Sequence, residues 1–296
     1  MSDVWQVTSD RMGAANAAPA PALYRVTRHL SPVTRRAFSL IELLVVIAIM
    51  GIMASLAVPA LKNFGRADAM IAATQQMLND VARARQLAIS QRTTVYMVFV
   101  PTNFWVNLNV AGLTRAQQLA VTNLCDKQLT GYTFVAYGAL GDQPGQHQWH
   151  YLTPWQQLPD NAFIALNKFN FQSSPPAYNG TPFYIPAYNS GVPIYGFNTN
   201  AIPFPTVDSP SNSMPYIAFN YLGQLTFDGQ SVATRHEYIP LARGIVAPAA
   251  DPATKVFQLN APTVTEQPPG NSTNIYNLID IDPLTGRATL QEPQLK

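Results

Sequence analysis

Residues 38–61, FSLIELLVVIAIMGIMASLAVPAL, form one apolar run of 24 residues broken by a single charge, Glu42. At about 1.5 Å rise per residue, a helix of that length crosses a bilayer core of about 30 Å. Beyond Lys62 the pattern becomes amphipathic. Met77, Val81, Ala84 and Ala88 follow one another by four, three and four positions, with Met70, Thr74 and Leu78 beside them and Arg83, Arg85, Gln86 and Arg92 outside the stripe. This spacing predicts that the helix continues over 62–92, with the stripe packed on the protein's own sheet. Pro59 and Gly65 are points where it can bend, and Pro59 is the expected kink. After residue 92 the period changes to two. Segment 93–100, TTVYMVFV, reads as a buried strand and 104–110, FWVNLNV, as its hairpin partner. Segment 132–137 is another strand, and 216–228 reads as two strands about a Leu222-Gly223-Gln224 turn. Segments 235–245 and 255–260 are further strands, and 274–282 with 287–291 make a hairpin across Pro283-Leu284-Thr285-Gly286. One long helix followed by a mostly antiparallel sheet is an α+β arrangement.

Charge gives the apolar run an orientation. Arg25, Arg28, Arg35 and Arg36 precede it, whereas only Lys62 and Arg66 follow closely, so the positive-inside rule places the N-terminus in the cytoplasm. Residues 1–37 carry a net charge of +3 and the remainder −1. Without its first segment the chain therefore has no bulk basic character of the kind that draws proteins to nucleic acid. Three plainer accounts of the run compete: a buried soluble helix, a secretory signal cut after Ala57 in Ser55-Leu56-Ala57, and a simple anchor. Glu42 counts against all three. A carboxylate inside a span costs about 2.5–3.5 kcal/mol on insertion scales, and it implies a partner.

The segment Arg35-Arg36-Ala37-Phe38-Ser39-Leu40-Ile41-Glu42-Leu43-Leu44 and the apolar residues after it closely resemble the type III signal of type IV pilins and type II secretion pseudopilins. The resemblance implies a pilin fold, a long N-terminal transmembrane helix running into an antiparallel β-sheet head. It also implies cleavage between Ala37 and Phe38 by a prepilin peptidase, and N-methylation of the new terminal Phe38. Pro59 falls where such proteins commonly kink the helix. Ala37 stands where Gly is usual, and the leader is long, with Met1 and Met12 both available as starts. Glu42 would meet the Phe38 ammonium of a neighbouring subunit, relieving two buried-charge penalties and setting the axial register. The implied partners are other pilin or pseudopilin subunits, the prepilin peptidase and an inner-membrane assembly platform. The implied location is the bacterial inner membrane, single-pass, with a cytoplasmic N-terminus and a periplasmic head. Three further segments resemble the GspH/FimT family of minor pilins and pseudopilins: Ala84-Arg85-Gln86-Leu87-Ala88-Ile89-Ser90-Gln91-Arg92, Phe219-Asn220-Tyr221-Leu222-Gly223, and Asp280-Ile281-Asp282-Pro283-Leu284-Thr285-Gly286-Arg287. No Asp-Pro-Trp-Gly-type segment is present, which argues against the major calcium-binding subunit.

The expected organisation is a leader over 1–37, a transmembrane helix over 38–61, an amphipathic continuation over 62–92 and a β-rich head over 93–296. Within the head, 142–215 holds 12 of the 25 Pro and 13 aromatic residues but only four charges. A disordered linker has the opposite composition. The segment reads as an ordered, irregular insertion laid over the head, its aromatics forming a minicore or, alternatively, a partner surface. Chemistry-bearing residues are sparse. Cys125 has no partner in its own chain, which excludes a disulfide framework. His147 and His150 are three apart with no helical pattern and no nearby Cys or Glu, and Asp280 with Asp282 fits a hairpin end better than a calcium loop. Neither a nucleophile elbow nor a phosphate loop occurs. The reading is of a minor pilin or pseudopilin, a structural subunit of a secretion pseudopilus or pilus-like filament, with no cofactor, no metal and no enzymatic activity expected. The alternative is a minor pilin whose head captures DNA or glycan; an anchored envelope enzyme is a third.

Overall fold

The computed structural model describes residues 39–139, 141–143, 147–169, 183–184, 193–274 and 277–291, without the side chains of 56–68, 183–184 and 274. The leader over 1–37 and Phe38 lie outside these residues. The chain divides into two units, residues 1–54 and 55–296.

In the first unit, helix α1 (Leu40–Gln91) begins at Ser39. Leu40, Ile41, Leu43, Leu44, Ile47 and Met50 are all more than half exposed among the described residues. Among the described residues no helix is long and apolar enough to cross a membrane. The expected span over 38–61 is thus not recovered whole: the side chains of its exposed apolar run are described only as far as Ser55, and those of 56–68, Pro59 included, lie outside the description. The helix runs through Pro59 without a break in its assignment.

The second unit is built on the remainder of α1. Ala73, Met77, Val81, Ala84 and Ala88 are fully buried. Two main sheets pack with them. The first contains β1 (Thr94–Phe99), β2 (Gly131–Tyr137), β3 (Trp149–Tyr151), β4 (Gln156–Gln157), β8 (Asn198–Pro203), β9 (Ser211–Phe219) and β10 (Leu225–Thr226), in the order β10-β9-β1-β2-β3, with β4 on β2 and β8 on β9. The second contains β5 (Ala162–Ile164), β11 (Glu237–Ala247), β12 (Thr263–Glu266), β13 (Asn277–Ile281) and β14 (Ala288–Gln291), in the order β12-β11-β13-β14 with β5 on β11. A small hairpin pairs β6 (Phe183–Tyr184) with β7 (Pro193–Ile194). Two short α-helices, α2 (Arg115–Asn123) and α3 (Asn271–Asn274), and three 3-10 turns accompany the sheets among the described residues. All described pairings within these sheets are antiparallel.

Period-two alternation sorts the first sheet into two faces. Val95, Met97 and Phe99, with Phe134, Ala136, Ile217 and Phe219, join the α1 stripe and Ile239, Leu241, Ile279 and Ile281 of the second sheet in the main core. Tyr96, Val98 and Val100, with Val135, Met214 and Tyr216, face the other way into a second core. That core is roofed by Phe104, Leu108, Leu113, Val121, Leu124 and Phe204.

Several sequence expectations change here. Segment 104–110 is not the hairpin partner of β1, whose neighbours are β2 and β9. It is a run of turns, with Val106 N–H donating to Asn103 O (3.0 Å) and Leu108 N–H to Trp105 O (3.0 Å). The four-residue step from Phe104 to Leu108 drops both side chains onto the outer sheet face. Segment 255–260 is likewise no strand: beyond one bridge between Ala250 and Phe257, it presses Phe257 and Leu259 on the second core. The strand lies at 263–266 instead. Helix α2 went unread although it carries a clear start signal. Thr114 caps Gln117 N–H while the Gln117 side chain caps Thr114 N–H. The described parts of 142–215 are not a layer over the head. They supply β3, β4 and β8 to the first sheet and β5 to the second, and Phe163, Phe169, Phe197 and Phe204 are buried in the cores. Lys168 is fully buried there, donating to Tyr195 O (2.7 Å) and paired with Glu237 of β11.

Helix and both sheets meet at one point. The turn after β9 is organised by Asn220, whose Oδ1 accepts from Leu222 N–H and Gln224 N–H (both 3.0 Å). Leu225 N–H donates to Pro283 O (3.0 Å) in the turn between β13 and β14. Arg85 Nε donates to Thr285 O (2.7 Å) in the same turn. A Cβ on Gly223 would come within 2.7 Å of Ile89, and one on Gly286 within 2.1 Å of the Gly223 carbonyl oxygen. Both glycines have positive φ, +77° and +61°. Gly286→Ala should therefore cost about 3 kcal/mol or more, since backbone strain and overlap with a carbonyl oxygen combine. The measurement is urea unfolding of the detergent-solubilised full chain, and a midpoint unchanged from wild type would show that the turns do not touch.

Candidate functional site

Two places carry functional chemistry: the start of α1 and an open cavity on the head. At the first, Ser39 is the helix cap. Glu42 N–H donates to Ser39 Oγ (3.2 Å), and Leu43 N–H donates to Ser39 O (3.1 Å) as the first helical bond. Ser39-x-x-Glu42 is thus the sequence form of a capping box, with Glu42 in the first turn, where the helix dipole favours a carboxylate. Ala37 and Phe38 lie outside the described residues, but Phe38 is the residue directly before the cap.

Residues 34–58 match the prokaryotic N-terminal methylation motif. The match takes in Ala37, Phe38, Ser39 and Glu42 and stops one residue short of Pro59. It supports a type IV pilin-like, prepilin-processed protein. No curated protein and no solved structure matches the chain.

The second place is a cavity of about 620 Å³ on the head. It opens where the roof over the outer face of the first sheet stops. Its floor is aromatic. Tyr96 from β1 meets Trp149 from β3 edge-on with centroids 5.3 Å apart, and Tyr137 from β2 lies 4.7 Å from Trp149 at 48°. His147 lies 5.4 Å from Tyr137. Its rim is polar: Arg92 at the end of α1, Asn200 on β8, and Asp228 with Gln230 after β10. Burial drives the Tyr96 phenol up to about 12, with Tyr137 and Asp228 adding to the effect, so it stays a neutral hydroxyl. Asp228 behaves oppositely. Burial alone would raise it, but N–H groups of Gln230 (2.8 Å) and Ser231 (2.7 Å) and the Thr226 hydroxyl (2.9 Å) donate to Oδ1, and the carboxyl falls to about 2.

The remaining sequence candidates scatter. His150 pairs with Asp142 (3.1 Å), apart from the His147–Tyr137 contact. Asp280 is held by His236 Nδ1 (2.7 Å) and Gln291 Nε2 (2.6 Å), while Asp282 accepts from Thr285 N–H (2.7 Å) and lies 3.9 Å from the other ring nitrogen of His236. Among the described residues no group of three or more His, Cys, Asp or Glu side chains could hold a metal ion. Cys125 is buried, and burial pushes its thiol to about 11, far from a reactive thiolate. Neither Tyr96 nor Asp228 was singled out by the sequence, and no local motif marks either one, because strand pairing creates the cavity.

Four carboxyls that cap turns share one electrostatic signature. Asp282, Asp251 and Asp142 are all lowered, chiefly by backbone N–H groups of Thr285, Thr254 and Ala139 respectively, and Asp228 is lowered as described. A carboxyl whose folded pKa lies below its unfolded value adds stability above the unfolded pKa and loses it as pH falls through the folded one. The melting temperature should be level above about pH 4 and drop toward pH 2. Asp228→Asn keeps the acceptor oxygen and loses the charge, so its drop over that interval should be shallower. A thermal melt series from pH 5 to pH 2 reads both, and parallel curves for the two proteins would contradict the assignment.

Proposed function

We propose that this chain is a minor pilin or pseudopilin, a structural subunit of a type II secretion pseudopilus or type IV pilus-like filament. The methylation motif at 34–58 carries the reading. Its chemistry follows from the α1 start. Cleavage after Ala37 places a free ammonium on Phe38, next to the capping Ser39 and one helical turn from Glu42. The apolar residues from Leu40 to Met53 are exposed among the described residues and need cover. In this reading lipid covers them before assembly and the helices of other subunits cover them afterwards. In either environment an unpaired ammonium or carboxylate is costly, so Glu42 of one subunit pairs with Phe38 of the next and fixes their axial offset. The partners are other subunits, the prepilin peptidase and an inner-membrane platform. The head is periplasmic, and its work is assembly rather than catalysis.

A GspH/FimT-like minor subunit is the finer form of the proposal. What supports it is the convergence of the three resembling segments. Arg85 and Ile89, the Gly223 turn and the Gly286 turn meet at the junction of helix and sheets. Residues far apart in sequence thus act as one packing unit.

Mass spectrometry of the protein extracted from membranes should find N-methyl-Phe38 as the first residue. A chain beginning at Val58, or one that keeps its leader, would overturn the proposal. Glu42→Gln preserves length and hydrogen-bonding capacity at the helix start while removing the charge. It should be cleaved but should enter filaments at least about 100-fold less, since the roughly 3–5 kcal/mol of an uncompensated buried charge is a factor of more than 100. Normal incorporation of Glu42→Gln would assign Glu42 to capping alone.

A further inference from the structure

We propose that the cavity at Tyr96, Tyr137 and Trp149 is a binding site for a neutral saccharide. The inference depends on the head alone and stands whether or not the chain is a filament subunit.

The cavity's size falls within the roughly 300–1,000 Å³ of small-molecule sites, and it combines an aromatic floor with convergent polar groups. Tyr137 and Trp149 come from neighbouring paired strands, Tyr137 opposite Trp149 in register, so the sheet itself holds the rings side by side. Tyr137 is 41% exposed, and its ring is available to a ligand. Ring faces carry negative charge density and attract the polarised C–H face of a sugar ring. Around the floor, the side chains match what hydroxyls require. Each sugar hydroxyl both donates and accepts. Asp228 supplies an acceptor, Arg92 supplies donors, and Asn200 and Gln230 supply both.

Charge selects among ligand classes. Arg92 and Asp228 bring one cation and one anion to the rim. A phosphate or nucleic-acid strand needs several cations and would face the Asp228 carboxylate. A purely apolar ligand would leave both charges desolvated without partners. A neutral polyhydroxyl molecule meets neither penalty.

A second, independent observation comes from the backbone. Arg92 occupies the left-handed position that ends α1, with φ of +51°. Thr93 N–H donates to Ala88 O (3.3 Å), the bond of a Schellman ending, and Gly is the usual residue at the position Arg92 holds. A non-glycine residue there stores strain, and such strain clusters at ligand sites. Arg92 is exposed, and among the described residues no carboxylate forms an ion pair with it. The strained residue therefore places a cation on the cavity rim.

The test uses the full chain in polyoxyethylene-ether micelles, a detergent without sugar, on a printed panel of neutral oligosaccharides that includes β-linked glucose and N-acetylglucosamine oligomers. A duplex DNA fragment is included as a competing probe. At least one neutral oligosaccharide should bind saturably. Tyr137→Ala should weaken it about tenfold through loss of ring contact, while Tyr137→Phe retains it. Arg92→Gly should weaken binding while leaving the melting temperature equal or higher, since Gly relieves the left-handed strain. That combination separates a ligand contact from a folding role. Failure of every oligosaccharide to bind, binding that both Tyr137→Ala and Arg92→Gly leave unaltered, or salt-sensitive capture of the DNA alone would overturn the proposal.

Discussion

Two turns meet in the head at a place where neither can carry a side chain. Gly286 lies so close to the Gly223 carbonyl that a Cβ would overlap it, and Gly223 in turn rests on Ile89 and Arg85 of α1. The first turn ends the first sheet and the second closes the second sheet. Arg85 and the Leu225–Pro283 hydrogen bond tie them to the helix and to each other. This contact sets how the three layers join. With it in place, the α1 stripe is sealed by Met97, Phe134 and Phe219 on one side and Ile239 and Ile279 on the other. Polar bonding repeats the same attachment further along the helix. Gln76 donates to Tyr132 Oη (2.7 Å) and to Gln157 O (2.9 Å), and Tyr132 donates to Asp80 (2.5 Å). Burial and the Asp80 bond both push the Tyr132 phenol upward, so it remains a donor.

The two stretches of α1 on either side of the side chains 56–68 obey different solvents. From Ala73 to Ala88 it presents small and flexible apolar residues on one stripe, and the head buries them. Over Leu40–Met53 it is apolar around most of its circumference and exposed. A helix apolar all round belongs in lipid or among other helices. Glu42, alone among those residues, has a local reason to sit where it does as well as a proposed intermolecular one. Its N–H is capped by Ser39, and its carboxylate lies at the positive end of the helix.

The outer face of the first sheet shows how a roof and a cavity arise from one pattern. Val98 and Val100 are covered by the turns from 104, by α2 and by Phe204, whereas Tyr96 is buried by Trp149 and Tyr216 and the cavity opens beside them. Aromatic rings at the uncovered end tolerate partial exposure because each has a polar atom or edge to offer water or a ligand. The head thus needs no dedicated domain to present a polar, aromatic recess.

What the residues alone determined is local. The apolar run with one carboxylate, the four-three-four stripe of Met77, Val81, Ala84 and Ala88, and the alternation at 94–99 follow from helix and strand periods, which short windows display. The hairpin around Pro283–Gly286 was legible for the same reason, as was the likeness of 35–49 to a prepilin-type signal, which contiguous residues carry. Tertiary structure decided the rest. Phe104, Phe257 and their neighbours alternate like strands but serve as roof, because apolar spacing records burial and not the partner that buries it. The Pro- and aromatic-rich segment supplies strands to two sheets, since pairing partners lie far apart along the chain, as Phe163 and Ala242 do. The cavity joins Arg92, Tyr137, Trp149 and Asp228, which no window contains. Only strand register brings them within reach of one ligand.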